Sequence, residues 1–356
     1  MNNWKNNLRK IDPYVPGEQS KDKDIVKINA NENPYPPSPK AIEALKSFNA
    51  ETLRFYPPAD ATPLKAAIAE YYGVSIENVF LGNGSDDVIA LSFQAFFNSE
   101  KPIVYPDITY SFYPVWCALL NIPYKTYPLD ESFRIDAEDY KEPNGGVIIP
   151  NPNAPTSIGE SRDFIRKILD NNSDSVVIID EAYVDFGGES AIPLIKEYEN
   201  LLVTGTFSKS RSLAGMRIGF AIGSKTLISV LEAVKNSYNS YTVDSLSVAM
   251  GIASVNDDAY FKETVGKVIA TRERVTNALR ERGFTVFDSS ANFIFATHKA
   301  LNMKGLFEYL KTKKVFIRYF NLPRISNHVR ISIGTDDEMD IFLREVNNYL
   351  KEKKEL

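Results

Sequence analysis

Cysteine occurs once in this 356-residue sequence, as Cys117. That excludes an internal disulfide framework and a cysteine-based metal cage, and a reducing, cytoplasmic setting fits. Histidine is almost as scarce, with His298 and His328 the whole supply, so zinc sites and Ser-His-Asp catalysis lack their parts and no metal is expected. No run of roughly 18 apolar residues is present, and the N-terminal MNNWKNNLRKIDPYVPGEQ carries charge without an apolar signal core. Neither a membrane span nor an ordinary export signal is expected. Long basic runs are missing too, and the net charge is −5. Nucleic acid and anionic membranes are therefore poor partners, and a small-molecule ligand is the better one.

What is present is ordinary globular material, 44% hydrophobic and 24% charged, which allows a substantial core. This length outgrows one simple core, so a large domain with a smaller companion is expected. The polar stretch 1–30, with Pro13, Pro16 and Gly17, suits an extended arm lying on another surface better than a core element. Over 31–245, helical stretches alternate with short β-rich runs, among them VFL, PIVYP, GVIIP, SVVIIDEAYVDF, LLVTGTF and RIGFAIG. Such alternation predicts an α/β domain with a mostly parallel sheet between helices. VVII at 176–179 is apolar without alternation, as a strand covered on both faces would be. Functional side chains then belong just beyond the strand ends. Over 246–356 the order changes to a long charged helix around TRERVTNALRERG, then FTVF, NFIFA, a helix, VFIRYF, HVRISIG and a last helix, a smaller α+β C-terminal domain.

Three motifs carry chemistry. Gly82-Asn83-Gly84-Ser85-Asp86-Asp87 stands between VFL and an amphipathic helix. Glycines allow close backbone approach, and a helix N-terminus attracts a phosphoryl anion. A dinucleotide loop would need a third glycine where Asp87 stands, and Gly223-Ser224-Lys225-Thr226 does not make a P-loop. Asp180-Glu181-Ala182-Tyr183 follows the buried run; an acid there needs a cationic or hydrogen-bonding partner, such as a protonated pyridine nitrogen. Thr206-Phe207-Ser208-Lys209 ends LLVTGTF, with Arg217 downstream. A lysine is required wherever a Schiff base is to form, and the two hydroxyls and Arg217 suit a phosphate. Taken singly, each has a plainer reading: a glycine-rich turn, a capping aspartate, a solvated surface lysine. Their order along the chain favours the chemical one.

In that order the motifs resemble the fold-type I pyridoxal-phosphate transferases and, within them, the histidinol-phosphate aminotransferase family. The likeness spans nearly the whole chain, through Pro13-Tyr14-Val15-Pro16-Gly17, Asn31-Glu32-Asn33-Pro34-Tyr35, Gly82-Asn83-Gly84-Ser85-Asp86, Tyr110 in DITYSFY, Asn151-Pro152-Asn153-Ala154-Pro155-Thr156, Asp180-Glu181-Ala182-Tyr183, Ser208-Lys209 and Arg330 in HVRISIG. The resemblance implies pyridoxal 5'-phosphate on Lys209, with Asp180 at its ring nitrogen, Tyr183 at its phenolic oxygen and Tyr110 stacked on its ring. It places Gly84, Ser85, Asp86, Thr206, Ser208 and Arg217 around the phosphate, and Asn153 near the ring. Tyr56 would reach the phosphate of a neighbouring subunit, which implies a homodimer with shared sites. Tyr14, Asn33, Arg318 and Arg330 would grip the substrate. The implied reaction exchanges amine between L-histidinol phosphate and 2-oxoglutarate. An aromatic amino-acid aminotransferase and a threonine-phosphate decarboxylase are rivals on the same fold; a non-enzymatic cofactor sensor is the rival of another class.

The chain departs from the family pattern at Ala154, where an asparagine usually touches the ring oxygen. Pro36, Asp87 and the run Ser208-Lys209-Ser210-Arg211-Ser212 depart as well. None removes a group the chemistry requires.

Overall fold

A computed structural model describes residues 3–14, 18 and 24–354; Val15, Pro16 and Gly17 of the N-terminal motif lie outside the described residues. A two-residue strand, β1 (Val26–Lys27), comes first. A central sheet is then built from β2 (Val79–Asn83), β3 (Ile103–Pro106), β4 (Tyr124–Tyr127), β5 (Gly146–Pro150), β6 (Val177–Asp180), β7 (Leu201–Thr206) and β8 (Ile218–Gly223). Its spatial order is β2-β8-β7-β6-β5-β3-β4. β4, β3, β5, β6 and β7 run parallel. β8 alone is antiparallel to its neighbours, β7 and β2. RIGFAIG is thus a returning strand within a mostly parallel sheet, and because it returns, β2 and β7 point the same way. The C-terminal ends of β2, β6 and β7 share one edge.

β5, β6, β7 and β8 are buried along their whole length, as continuous apolar runs covered by helices on both faces should be. Those helices are α1 (Pro39–Lys46), α2 (Thr62–Tyr72), α3 (Ser85–Phe96), α4 (Tyr113–Leu120), α5 (Arg162–Asn171), α6 (Lys225–Tyr238) and α7 (Ser245–Val255). Side chains close several N-termini: Ser38 accepts from Ala41 N, Ser161 from Phe164 N, Ser224 from Leu227 N and Asp244 from Ser247 N. α3 differs, starting at Gly84 with no side-chain cap.

The remaining elements are α8 (Asp258–Glu281), β9 (Phe284–Val286), β10 (Phe293–His298), α9 (Met303–Thr312), β11 (Val315–Phe316), β12 (Arg318–Tyr319), β13 (His328–Ser332) and α10 (Asp336–Lys354). A second sheet has the order β12-β13-β10-β9, while β11 pairs with β1. VFIRYF is thus two strands with different partners, parted at Ile317. The end of the N-terminal stretch is no loose arm: Val26 and Ile28 are buried in the second core beside Val315, Ile317 and Ile331. Its alternating Val26 and Ile28 put one apolar face onto that core. α7 begins at Ser245, so nearly all of it lies in the stretch expected to form the second domain, yet it adds Met250 and Val255 to the core of the large sheet.

An aromatic cluster joins the two sheets. The His328 imidazole stacks on Phe295 at 4.8 Å and 9°, with Phe133 edge-on at 5.2 Å. Burial pushes His328 down to about 4 from 6.5. The folded protein therefore holds this ring neutral where the unfolded chain would protonate it. Its contribution to stability is complete above pH 6.5 and declines as pH falls toward about 4. His328→Phe should keep the stack and remove the proton. Urea unfolding of both proteins should give a stability difference that is constant above pH 6.5 and moves in the variant's favour below it; a difference independent of pH would contradict the assignment.

Candidate active site

A cavity of about 310 Å³ opens at the edge where β2, β6 and β7 end, and the second sheet forms its far wall. Tyr14, Ser85, Asp86, Tyr110, Asp180, Tyr183, Ser208, Lys209, Arg217, Arg318 and Arg330 all line it. Residues spread over most of the chain are brought together because strand ends and the returning β8 converge here.

One end is built for an anion. The uncapped N-terminus of α3 presents Ser85 and Asp86 to the cavity, and backbone N–H groups of a first helical turn have no intrahelical acceptor. Gly84 has φ 84°, and a Cβ there would stand 2.4 Å from Arg217 Nη2. Glycine is what lets the guanidinium lie against this turn. Arg217 also sits 3.5 Å from Asp86 Oδ2 and donates to the carbonyl of Ala214 at 3.3 Å. Ser208 lines the cavity; its N–H donates to Thr206 Oγ1 at 3.1 Å, and the two hydroxyls are 3.0 Å apart. Tyr110 Oη donates to Asp86 Oδ1 at 2.8 Å.

At the centre, Asp180 is 5% exposed. Its Oδ2 accepts from Tyr113 Oη at 3.0 Å, and its Oδ1 from Ala182 N at 3.3 Å and Thr204 Oγ1 at 3.4 Å. Among the described residues no lysine, arginine or histidine pairs with it. Desolvation pushes its carboxyl up to about 6, with the charge of Asp86 adding to the shift. Lys209 Nζ lies 5.7 Å from the centre of the Tyr183 ring. Tyr183 Oη accepts from Asn31 Nδ2 at 3.0 Å, and its ring meets Phe293 edge-on at 5.0 Å. The loop bearing Lys209 is held on its far side: Asn33 Nδ2 donates to the carbonyls of Lys209 and Ser210, Ser210 Oγ to Asp185 Oδ2, and Arg211 Nη1 to the carbonyl of Ser254.

The opposite end is cationic. Arg318 and Arg330 are direct partners across β12 and β13. The Arg330 guanidinium lies 5.3 Å from the Phe293 ring and 5.6 Å from Phe320, and Arg318 is 5.5 Å from Phe320. Arg330 Nη2 donates to the carbonyl of Asn29 at 3.1 Å, but its buried Nε has no partner among the described residues. Burial disfavours the Arg330 charge, so an anion in the cavity is its natural complement. Tyr14 lies over the same space, stacked on Phe112 at 4.5 Å.

These features fit a phosphate-bearing pyridine aldehyde. The buried acid lacks a cation, the glycine cradle and open helix end suit a phosphate, and a lysine amine lies in the same cavity. Five expected residues do not themselves line the cavity: Gly84 and Thr206 touch Arg217 and Ser208, which do, while Asn33, Asn153 and Tyr56 are engaged elsewhere. Asn153 does not line the cavity: its Oδ1 accepts from Thr109 Oγ1, and its Nδ2 donates to the Ile108 carbonyl and Thr156 Oγ1. Its hydrogen-bonding capacity is spent on the loop, and Ala154 forms the wall instead. Tyr56 is 81% exposed and stacks on Tyr241 at 4.5 Å, outside this chain's own cavity. Asn33 supports the backbone of Lys209. Asn31, Tyr113 and Gly219 were not foreseen. Asn31 and Tyr113 lie inside quoted motifs, but Gly219 has no local signal.

A family model described as aminotransferase class I and II matches residues 23–346. The chain is 51% identical over 347 residues to a histidinol-phosphate aminotransferase of Clostridium botulinum, covering 98% of each chain. It is 54% identical over 341 residues to one of Acinetobacter baumannii, covering 95% of this chain and 94% of that one. In fold it is similar to the crystal structure of histidinol-phosphate aminotransferase from Sinorhizobium meliloti in complex with pyridoxal-5'-phosphate, with TM-score 0.80 and 23% identity over 89% of this chain and 88% of that one.

Gly219 decides the shape of the cradle. A methyl group there would stand 2.2 Å from the carbonyl carbon of Gly84 and 2.5 Å from Ser85 N, backbone atoms that yield only if the turn moves. Overpacking of this kind costs about 1–3 kcal/mol. Gly219→Ala should keep the native circular dichroism and bind pyridoxal 5'-phosphate about 10- to 100-fold more weakly in a fluorescence titration. An unchanged Kd would show that this turn does not seat the phosphate.

Proposed function

The chain belongs to the class I and II aminotransferases, and on that premise we propose that it transfers the amino group of L-histidinol phosphate to 2-oxoglutarate, yielding imidazole-acetol phosphate and glutamate. The observation that carries this reading is the charge distribution within one cavity. Lys209 and the uncompensated Asp180 lie in its centre, an anion cradle at one end and the Arg318–Arg330 pair at the other. Two separate anionic groups are accommodated, one on a cofactor and one on a substrate.

Pyridoxal 5'-phosphate, when bound, supplies an aldehyde that links to an amine and a ring that takes up the electron pair of the substrate carbon. The α3 N-terminus at Gly84, with Ser85, Asp86, Thr206, Ser208 and Arg217, would hold its phosphate. Asp180 would keep a proton on the ring nitrogen, Tyr183 with Asn31 behind it would hold the phenolic oxygen, and Tyr110 would cover the ring. Lys209 Nζ would be the linking amine. Displaced by the donor amine, it would take the proton from the substrate carbon and deliver it back, the work of a general acid and base. Arg318 and Arg330 would grip the substrate's phosphate or carboxylate, with Tyr14 beside them, while Asn33, whose amide holds the Lys209 and Ser210 carbonyls, would act on the lysine loop instead.

The same reading makes the protein a cytoplasmic homodimer. Exposed Tyr56 stacks on exposed Tyr241, an uncovered aromatic pair suited to a second copy, and from it Tyr56 would reach the neighbour's phosphate. No helix among the described residues is long and apolar enough to cross a membrane. The chain divides, in this reading, into a large cofactor-binding domain and a small C-terminal one, as the separate cores of the two sheets support, but Val26 and Ile28 of the expected arm at 1–30 belong to the small domain's core and α7 of the expected small domain at 246–356 to the large one's.

A ping-pong transamination assay should show histidinol phosphate as a better donor than phenylalanine or threonine phosphate, with amine exchange and no release of carbon dioxide. Preference for phenylalanine would sink the substrate assignment. Lys209→Ala should lower kcat by about 10²–10⁴-fold or more and lose the cofactor link that borohydride fixes; a link that survives would move the amine to another residue. Arg330→Ala should raise KM for histidinol phosphate by about 30-fold or more, the effect of removing one partner of a buried charge pair.

A further inference from the structure

Asp180 must carry a charge in a place that disfavours it. Its value to the reaction lies in remaining an anion opposite a protonated ring nitrogen, yet burial opposes that charge. The groups facing it do not bring a counter-charge: Asp86 from α3 repels it, Glu181 is the next residue after its strand ends, and Tyr113 from α4 and Thr204 from β7 are neutral hydroxyls. A lysine or arginine in this place would stabilise the anion but also neutralise it, leaving it nothing to offer the ring. A neutral donor stabilises the charge and leaves it available.

Tyr113 is the strongest such donor. It is the first residue of α4, wholly buried, and its Oη lies 3.0 Å from Asp180 Oδ2. Thr204 and Ala182 N reach the other oxygen at 3.4 and 3.3 Å. The phenol is fixed on several sides, by Tyr110 edge-on at 5.7 Å, Tyr105 at 5.6 Å and Trp116 at 6.2 Å. A ring so packed cannot swing its hydroxyl elsewhere. Resting on the reading of Asp180 above, we propose that Tyr113 is a positioning residue that holds Asp180 ionised through its O–H, and so keeps the shared proton on the cofactor's ring nitrogen rather than on the carboxylate. The proton moves between two atoms only, and no other reactant is consumed.

Hydrogen bonds to charged groups are strong enough that losing this one should raise the basicity of Asp180 about tenfold or more. The test uses holoenzyme carrying cofactor labelled with ¹⁵N in the ring. Tyr113→Phe keeps the ring and its packing, and at neutral pH its ¹⁵N resonance should move from the protonated toward the unprotonated position, with wild-type circular dichroism. A folded Tyr113→Phe with an unmoved resonance overturns the proposal. Asp180→Asn separates this from the underlying reading: if it also leaves the resonance unmoved, Asp180 does not face the ring nitrogen at all. If it removes ring protonation while Tyr113→Phe does not, only the role of Tyr113 falls. Should Tyr113→Phe not fold, a ¹³Cζ label placed at Tyr113 in the otherwise wild-type chain serves instead: Asp180→Asn should shift that signal, and a signal unmoved by it overturns the contact.

Discussion

The site depends on one buried carboxylate that is given no cation. Asp180 arrives at the edge of the sheet because β6 is covered on both faces and ends there, and the next residue is also an acid. The two are kept from loading the same space. Strand alternation turns consecutive side chains to opposite sides, and Glu181 faces Ser190 Oγ and Ala191 N. Desolvation pushes both carboxyls up, Glu181 further than Asp180, so Asp180 is the acid that keeps its charge more readily. Of the two acids at this strand end, the more readily charged one is on the side that faces the cavity.

That charge is useful only if the rest of the cavity is assembled around it, and the short segment after β1 does the assembling. Asn31 has φ 55°, a left-handed conformation that asparagine tolerates better than most residues. Its N–H donates to Ser332 Oγ, its Oδ1 accepts from the same hydroxyl, and its carbonyl accepts from Asn292 Nδ2. Its Nδ2 is thereby turned toward Tyr183. One residue therefore ties the second sheet to the loop after β6. Two residues earlier, the carbonyl of Asn29 holds Arg330, so the same segment sets the distance between the cationic end and the centre. The pairing of β1 with β11 makes this segment part of the second core, which explains why a stretch that reads as a peripheral arm ends as a structural hub.

How much of this could be read in the sequence depended on how local each signal was. Continuous apolar runs announce doubly covered strands, and GVIIP, VVII and LLVTGTF are such strands. The glycine turn, the acid and the lysine were legible because each follows its own strand in a short motif. What the chain does not display locally is pairing. VFIRYF looks like one strand, and only the separate partners of β11 and β12 show it to be two. RIGFAIG looks like another parallel strand, yet its return is what puts β2 and β7 in the same direction and brings Gly84 to the same edge as Lys209.

The same limit explains Asn153, Gly219 and Tyr113. An asparagine beside Ala154 looks available until the partners of its amide are counted, and Thr109, Ile108 and Thr156 take them. Gly219 is an unremarkable strand glycine until the turn at Gly84 is seen resting on it. Tyr113 sits three residues past the tyrosine that the motif draws attention to, on a helix whose burial hides it from any cofactor. Its partner, Asp180, is 67 residues away. A motif records groups that meet a ligand. The residues that set the charge state of those groups meet other side chains, and their spacing in sequence is fixed by how strands and helices pack, so the constraint on Asp180 becomes visible only once α4 is laid against β6.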